Sequence, residues 1–193
     1  TSNYAASSVK LKLFRYGNPQ TITVSLRATN ALGHPEGPDL ASGTTDGNTL
    51  TTVGPGEWRQ IAFDAPYPVV SGKKYAIVVG APSGDGSNPL LWRCVSPTGT
   101  YISGNAEDSY SSGSDGSWIA RSWDMMFEVW GEPTRLYERH NTGDVGLVLL
   151  WGTGWCAQTF RTKPITPKHA VTHVKLRLRR TGSPGSVTVS IRA

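Results

Sequence analysis

Four histidines could ligate a transition metal or transfer protons near neutral pH. His169 and His173 lie four residues apart, which on a helix would place two zinc ligands on one face. Segment 171–180 alternates apolar and polar residues like a strand, however, and Pro167 lies just before it. We therefore predict that this pair occupies a solvated strand entry and binds no transition metal. The other two histidines are His34 and His140.

Carboxylates could support hydrolysis of a glycan if two of them flanked a cleft. The candidates are Glu57, Glu107, Asp108, Asp124 and Glu128. Nothing in their spacing selects a pair, and the sequence contains no G-x-S-x-G, H-E-x-x-H or phosphate-binding glycine motif. We therefore predict no catalytic residue, and a glycan-processing enzyme is the last of the functional alternatives.

Acidic residues in turns could instead hold a structural calcium ion, which takes carboxylate and carbonyl oxygens as ligands. The candidates are Asp39, Asp46, Asp85, Glu107 and Asp108. Their spacing does not match an EF-hand loop. The alternative is that these side chains accept hydrogen bonds within their own turns. No other cofactor is predicted.

The aromatic residues offer flat faces on which sugar rings could stack. Trp92 and Trp130 lie among apolar strand residues, and Trp58 follows the pattern of a sheet edge, so we predict that these three pack. Other rings flank the Ser/Gly-rich tract 111–117 and are predicted to be exposed. The candidate ligand-binding residues are Tyr101, Tyr110, Trp118 and Trp123, with Trp151 and Trp155 as further aromatics.

The two cysteines lie in similar aromatic surroundings, LLWRCV for Cys94 and GWCAQTF for Cys156. They could form a disulfide, which suits an extracellular protein, or remain two buried thiols. The sequence leaves both alternatives open.

The composition indicates which elements must position these residues. The chain has 193 residues, with 22 Gly and 13 Pro and only 17% charged residues, which favours short strands joined by turns over helical bundles. Alternating or apolar runs predict strands at 57–64, 74–80, 90–95, 124–130 and 155–161, and segment 29–48 reads as irregular. We predict an all-β fold: an antiparallel two-sheet β-sandwich, jelly-roll-like. The predicted core contains Leu11, Leu13, Ile22, Val24, Leu26, Ile61, Phe63, Ile77, Val79 and Phe127.

The net charge of +5 does not by itself indicate nucleic acid. Lys10, Lys12 and Arg27 alternate with apolar neighbours, as expected for the solvated face of a sheet. The longest apolar run, 145–151, is far shorter than the roughly 20 residues that span a bilayer. We therefore predict neither nucleic-acid binding nor membrane insertion, and no signal-peptide pattern opens the sequence.

An internal repeat is the most specific signal in the sequence. Segment 9–28 (VKLKLFRYGNPQTITVSLRA) and segment 174–193 (VKLRLRRTGSPGSVTVSIRA) agree at 12 of 20 positions at an offset of 165, which is 174 minus 9. Each copy alternates, turns at Gly-x-Pro and alternates again, which predicts a β-hairpin or two consecutive strands. This predicts that 1–134 is a β-sandwich domain lacking its first strands and that 135–193 supplies the opening strands of the next repeat.

The order of segments resembles a known family. AQTF, the repeated pair of strands, DLASGTTDGNTL, GEWRQIAF, SGKKYAIVV, an aromatic strand and MMFEVWG follow one another as in the choice-of-anchor group of secreted β-sandwich domains, which are similar to jelly-roll carbohydrate-binding modules. The AQTF segment, 157–160, lies on the C-terminal side here. The resemblance implies a non-catalytic module that recurs in tandem in surface and phage-associated proteins, and hence an extracellular, cell-surface or virion location.

The sequence is compatible with three functions. The first is a structural module that assembles with copies of itself by strand donation and could extend into a filament. The second is a carbohydrate-binding module that uses the exposed aromatic residues on a polysaccharide, and the third is the glycan-processing enzyme. The surplus pair of strands favours the first. The predicted assembly residues are Val174, Leu176, Leu178, Val187, Val189 and Ile191.

Overall fold

The structure is a computed structural model that describes residues 3–96, 98–110, 117–132, 135–140, 146–150 and 155–161, with side chains described as far as residue 131. Within these ranges the chain forms thirteen β-strands and one short 3₁₀ turn, Gly47–Thr49. The strands are β1 (Tyr4–Arg15), β2 (Thr21–Thr29), β3 (Pro35–Asp46), β4 (Glu57–Val69), β5 (Lys74–Gly80), β6 (Leu90–Val95), β7 (Ala106–Ser109), β8 (Ile119–Ala120), β9 (Asp124–Met125), β10 (Phe127–Glu132), β11 (Arg135–His140), β12 (Gly146–Leu150) and β13 (Trp155–Arg161).

The strands form two antiparallel sheets that pack against each other. The first sheet has the order β11-β10-β1-β6-β12, and β4 and β9 also pair with β1 and β6. The second sheet has the order β3-β2-β5-β13-β7-β8. The chain crosses repeatedly between the sheets, so β1 and β2 are consecutive strands in opposite sheets rather than a hairpin. The predicted all-β sandwich is confirmed.

The core lies between the two sheets. All ten predicted core residues are buried there, because alternation along each strand turns every second side chain towards the opposite sheet. Trp92 is fully buried as predicted, and its indole N–H donates to the carbonyl of Met126 at 2.9 Å. This bond satisfies the polar end of the largest side chain in the core.

Three strand predictions were wrong in detail, one of them because the strand predicted at 57–64 continues to Val69 as β4. Segment 29–48 is not irregular, since it contains β3, which lies at the edge of the second sheet. Edge strands tolerate glycine and proline because one row of their backbone groups faces outward, so the composition of β3 concealed it. The strand predicted at 124–130 is divided at Met126, where pairing changes from β6 with β9 to β1 with β10.

The strands between residues 135 and 161 lie in these same two sheets. β11 pairs with β10, β12 pairs with β6, and β13 pairs with both β5 and β7. The second copy of the repeat, 174–193, lies outside the described residues, as do the six predicted assembly residues. The predicted boundary between 134 and 135 therefore stays a prediction.

Candidate functional site: the slot between β5 and β7

β13 occupies a gap in the second sheet that we call the slot. Its backbone pairs with β5 from Trp155 opposite Gly80 to Arg161 opposite Lys74. On its other edge it pairs with β7 as far as Gln158 opposite Ala106. β5 and β7 are thus joined through β13, which follows β5 by some seventy residues in the sequence. An empty slot would leave backbone N–H and C=O groups on both flanking strands without partners.

A hydrogen bond to a buried carboxylate crosses the slot near one end. His34 Nδ1, in the turn between β2 and β3, lies 2.6 Å from Glu107 Oε2. Glu107 belongs to β7, and its side chain is only 1% exposed. Its other carboxylate oxygen accepts from Asn105 Nδ2 at 2.9 Å. The turn that presents His34 is held by Asn30, whose side-chain oxygen accepts from the backbone N–H groups of Leu32 and His34.

Two further contacts join the strands on either side of the slot. Lys74 is the first residue of β5, and Asn105 directly precedes β7. The Lys74 Nζ donates to Asn105 Oδ1 at 3.2 Å. Trp118, which precedes β8, is 6% exposed and packs with Ala76 and Val78 of β5 in an apolar cluster separate from the main core. These contacts are made by side chains outside β13. The two flanks of the slot are therefore connected by their own residues.

The first residue of β1 and the last residue of β13 lie at the same end of the sandwich. Tyr4, at the start of β1, pairs with Val69, and Arg161, at the end of β13, pairs with Lys74. The short turn 70–73 joins Val69 to Lys74, and Ser71 N–H in this turn donates to Asn3 Oδ1 at 3.0 Å. A strand that enters the slot in the orientation of β13 thus finishes close to where β1 begins.

The aromatic candidates for a sugar site do not form one exposed surface. The prediction that Trp118 is exposed was wrong, because β5, some forty residues earlier, supplies an apolar surface that covers it. Tyr101 is half-buried and packs edge-to-face on Phe127, with the ring centroids 5.4 Å apart. Trp123 is half-buried against the core, with the Arg121 guanidinium 5.5 Å from its ring centroid.

The remaining aromatic predictions divide in the same way. Tyr110 is 72% exposed, as predicted. Trp58 and Trp130 are half-buried, the first with Lys10 Nζ 5.7 Å from its ring centroid. Trp151 and the side chain of Trp155 lie outside the described residues. Tyr110 is therefore the one candidate among the described side chains with a freely accessible ring.

The acidic calcium candidates are each bound by protein donors. Asp46 accepts from Asn48 N–H at 2.9 Å, and Asp85 accepts from the Ser87 and Asn88 N–H groups at 2.7 and 2.9 Å. The side chain of Asn88 and the N–H of Ser87 lower the pKa of Asp85 below its ordinary value of 3.8. In the part of the chain that the structure describes, no three His, Cys, Asp or Glu side chains come together as ligands. Asp46 and Asp85 serve their own turns, which was the alternative interpretation.

The other acidic candidates form ion pairs. Asp39 accepts from Arg27 Nε at 2.7 Å, and both carboxylate oxygens of Asp108 accept from Arg121. The hydrogen bond to Asp108 raises the pKa of Arg121. Glu107 and Asp108 are adjacent in one strand, so their side chains point to opposite faces. This pair therefore does not flank a common cleft.

The remaining carboxylates proposed for glycan hydrolysis also have structural partners. Glu57 accepts from Arg59 at 2.7 Å and from Thr51 N–H at 3.0 Å, and it is the one carboxylate that lines a cleft of about 730 Å³ formed by residues 49–59. Asp124 accepts from Tyr101 N–H at 2.7 Å. Glu128 accepts from the Trp130 indole at 3.1 Å. The geometry selects none of them as an acid and base pair.

The two cysteines lie in different sheets, and the three histidines other than His34 lie outside the described side chains. Cys94 is buried in β6 of the first sheet, whereas Cys156 lies in β13 of the second. The side chain of Cys156 is outside the described set, so neither alternative, a disulfide or two buried thiols, is tested. His140 belongs to β11, where the backbone alone is described, and His169 and His173 lie beyond the described ranges.

Comparisons with known proteins do not identify the chain. No family model, no curated protein and no solved structure matches it. The resemblance to choice-of-anchor domains therefore rests on the quoted segments alone. Among the described residues, no helix has the length and apolar character needed to cross a membrane.

Proposed function

We propose that this protein is a non-catalytic structural module of the choice-of-anchor type that assembles with copies of itself by strand donation. The observation that supports this most directly is the slot, since β13 completes a sheet whose two flanks are otherwise not paired with each other. In donor-strand complementation an extended segment enters such a gap and adds main-chain hydrogen bonds on both edges. The resemblance supports an extracellular, cell-surface or virion location.

The repeat indicates that β13 connects two sandwiches: it completes a sheet of one and leads into the first strands of the next. β1 and β2 are central strands: residues of β1 pair with both β4 and β10, and residues of β2 pair with both β3 and β5. A second copy of these strands, 174–193, has no vacant place in the same sandwich and would instead form part of the next one. β13 precedes that copy, so it can complete one sandwich and lead into another.

The spacing of the repeat also agrees with β13 being the strand that opens a repeat unit, directly before the equivalent of β1. At the offset of 165, Tyr4 corresponds to His169, so seven residues, 162–168, separate the end of β13 from the equivalent of β1. In the structure the end of β13 and the start of β1 lie at one end of the sandwich. The slot is therefore suited to the AQTF strand of any copy of the repeat.

Donation of this kind runs from one copy to the next. The donating segment and the slot are different surfaces, so the contact is heterologous and continues as an open filament unless the rotation closes a ring. We accordingly expect assemblies larger than a dimer. The partners are other copies of this chain, with no part for nucleic acid or for membrane insertion.

The experiment is a measurement of oligomeric state by light scattering on the intact chain at micromolar concentration. Deletion of 174–193 should give smaller and less stable particles. A matched variant of unchanged length, carrying Leu176→Asp and Val189→Asp, should behave like the deletion if the apolar faces of this segment are needed. A monodisperse, folded monomer of the intact chain would contradict strand donation.

One observation favours carbohydrate binding as a second candidate. The Tyr110 ring is 72% exposed at the end of β7, close to the ion pair of Asp108 with Arg121. A flat ring beside hydrogen-bonding groups is a recurring element of sugar sites. Affinity electrophoresis on a polysaccharide panel tests this candidate: retardation that persists unchanged in Tyr110→Ala would exclude this surface.

A further inference from the structure

We infer that the slot selects its strand by side-chain size, accepting an extended segment with small residues at the two positions opposite Val78 and Ala76. This inference rests on the proposed strand donation and names what the slot recognises. The occupant that fits is the Ala157-Gln158-Thr159 segment of a second copy of this chain. Size selection would distinguish this segment from bulkier strands that could otherwise form the same backbone hydrogen bonds.

The first step is that the width of the slot is set by residues outside β13. The contacts of His34 with Glu107 and of Lys74 with Asn105 join the two flanks at one end. Trp118 reaches from the β8 side to β5. Because Glu107 is buried, loss of its partners would leave a carboxylate without compensation, which disfavours separation of the flanks.

The second step is the register of β13. Ala157 lies opposite Val78 on β5 and opposite Glu107 on β7, and Thr159 lies opposite Ala76. Residues directly opposite each other in an antiparallel pair are on the same face of the sheet. Positions 157 and 159 therefore belong to the outer face that carries Trp118, Ala76 and Val78, and not to the face of Ile77 that turns towards the core.

The third step is that this outer face is closed. Ala76 and Val78 are fully buried and Trp118 is 6% exposed, although all three lie on the side of the sheet that faces away from the core. An apolar cluster that excludes water this completely has little space for a larger side chain in the adjacent strand. Extra methylene groups in a filled site are destabilising, so a strand with leucine opposite Val78 should bind more weakly than one with alanine there.

The test uses the intact chain and two fluorescent peptides. The first has the sequence 155–161 with Cys156→Ser, and the second also carries Ala157→Leu. We expect the second to bind at least about tenfold more weakly, which is the scale of an overpacked site. In a Trp118→Ala chain this difference should fall to about twofold or less. Equal binding of both peptides to the intact chain, or a preference that survives Trp118→Ala, would overturn size selection.

A second measurement uses the chain's own strand and separates this inference from assembly. Ala157→Leu should lower the melting temperature by about 3 °C or more in the intact chain and by clearly less in a Trp118→Ala chain. Equal lowering in both backgrounds would overturn the inference. If neither peptide binds and the chain is monomeric, strand donation fails, while the melting temperatures still decide whether the slot selects by size.

Discussion

β1 and the slot are both places where a strand is enclosed by neighbours on two edges, yet different interactions stabilise them. Residues of β1 pair with β4 and β10, and its side chains at Leu11 and Leu13 are fully buried in the main core. Around the slot, the flanks are joined by a buried carboxylate, a lysine and a tryptophan that lie outside the inserted strand. β1 therefore depends on burial of its own residues, whereas the slot is shaped by residues of its surroundings.

The two kinds of interaction differ in how strictly they fix the geometry of the elements that they join. Hydrophobic burial is non-directional, so it stabilises a strand that stays in place. Hydrogen bonds to a buried carboxylate depend on geometry and hold two elements at a defined separation. The predictions that follow test whether the two regions depend on these different interactions.

The largest effect is expected from Gln158→Pro. Gln158 is paired with Ile77 on one side and Ala106 on the other, so proline removes a ladder hydrogen bond from a central strand. Hydrogen-exchange protection should fall along β5 and β7 and remain in β1 and β4. Gln158→Val keeps the N–H and should retain protection throughout. Uniform loss of protection in all four strands would mean that the two regions unfold together and that the contrast is wrong.

A smaller effect is expected from His34→Ala. This change leaves the buried Glu107 carboxylate without one of its donors and should cost about 1–3 kcal/mol of unfolding free energy. In a Glu107→Gln background the same change should cost less, because the charged acceptor is gone. Urea unfolding of the two single variants and the double variant measures this coupling. Strictly additive free energies would show that the pair does not join the flanks.

The smallest effect is expected from Asp85→Asn, in the connection from β5 to β6. Hydrogen bonds in the fold lower the pKa of Asp85, so its carboxylate stabilises the fold above its ordinary pKa of 3.8, and this stabilisation is lost as the pH falls through the lower folded-state value. The wild type should therefore exceed the variant in urea midpoint at neutral pH and lose that advantage in strong acid. A difference that does not change with pH would count against a role for the charge.

Local patterns predicted much of the fold and little of the site. Short apolar and aromatic runs between turn residues predicted β5, β6 and β13 with their observed bounds, because this signal lies within each strand itself. The repeat predicted that 1–134 lacks strands, and this stays a prediction; in the structure β13 lies between β5 and β7. The pairing of His34 with Glu107 left no trace in the sequence, since 73 residues separate the two. Trp118 was misplaced for the same reason.

By itself the sequence determined that this chain is a two-sheet β-protein, which residues form its core, and that one 20-residue segment is repeated. The fold class and the core follow from patterns among neighbouring residues, and the repeat follows from comparing the sequence with itself. Both kinds of information are present in the sequence. Tertiary structure alone decided that β1 and β2 separate into opposite sheets, that β13 lies between β5 and β7, and that Trp118, His34 and Lys74 join the flanks of the slot. The physical reason is that strand pairing and side-chain contacts across a sheet join residues far apart in the chain, and no local pattern encodes which partners meet.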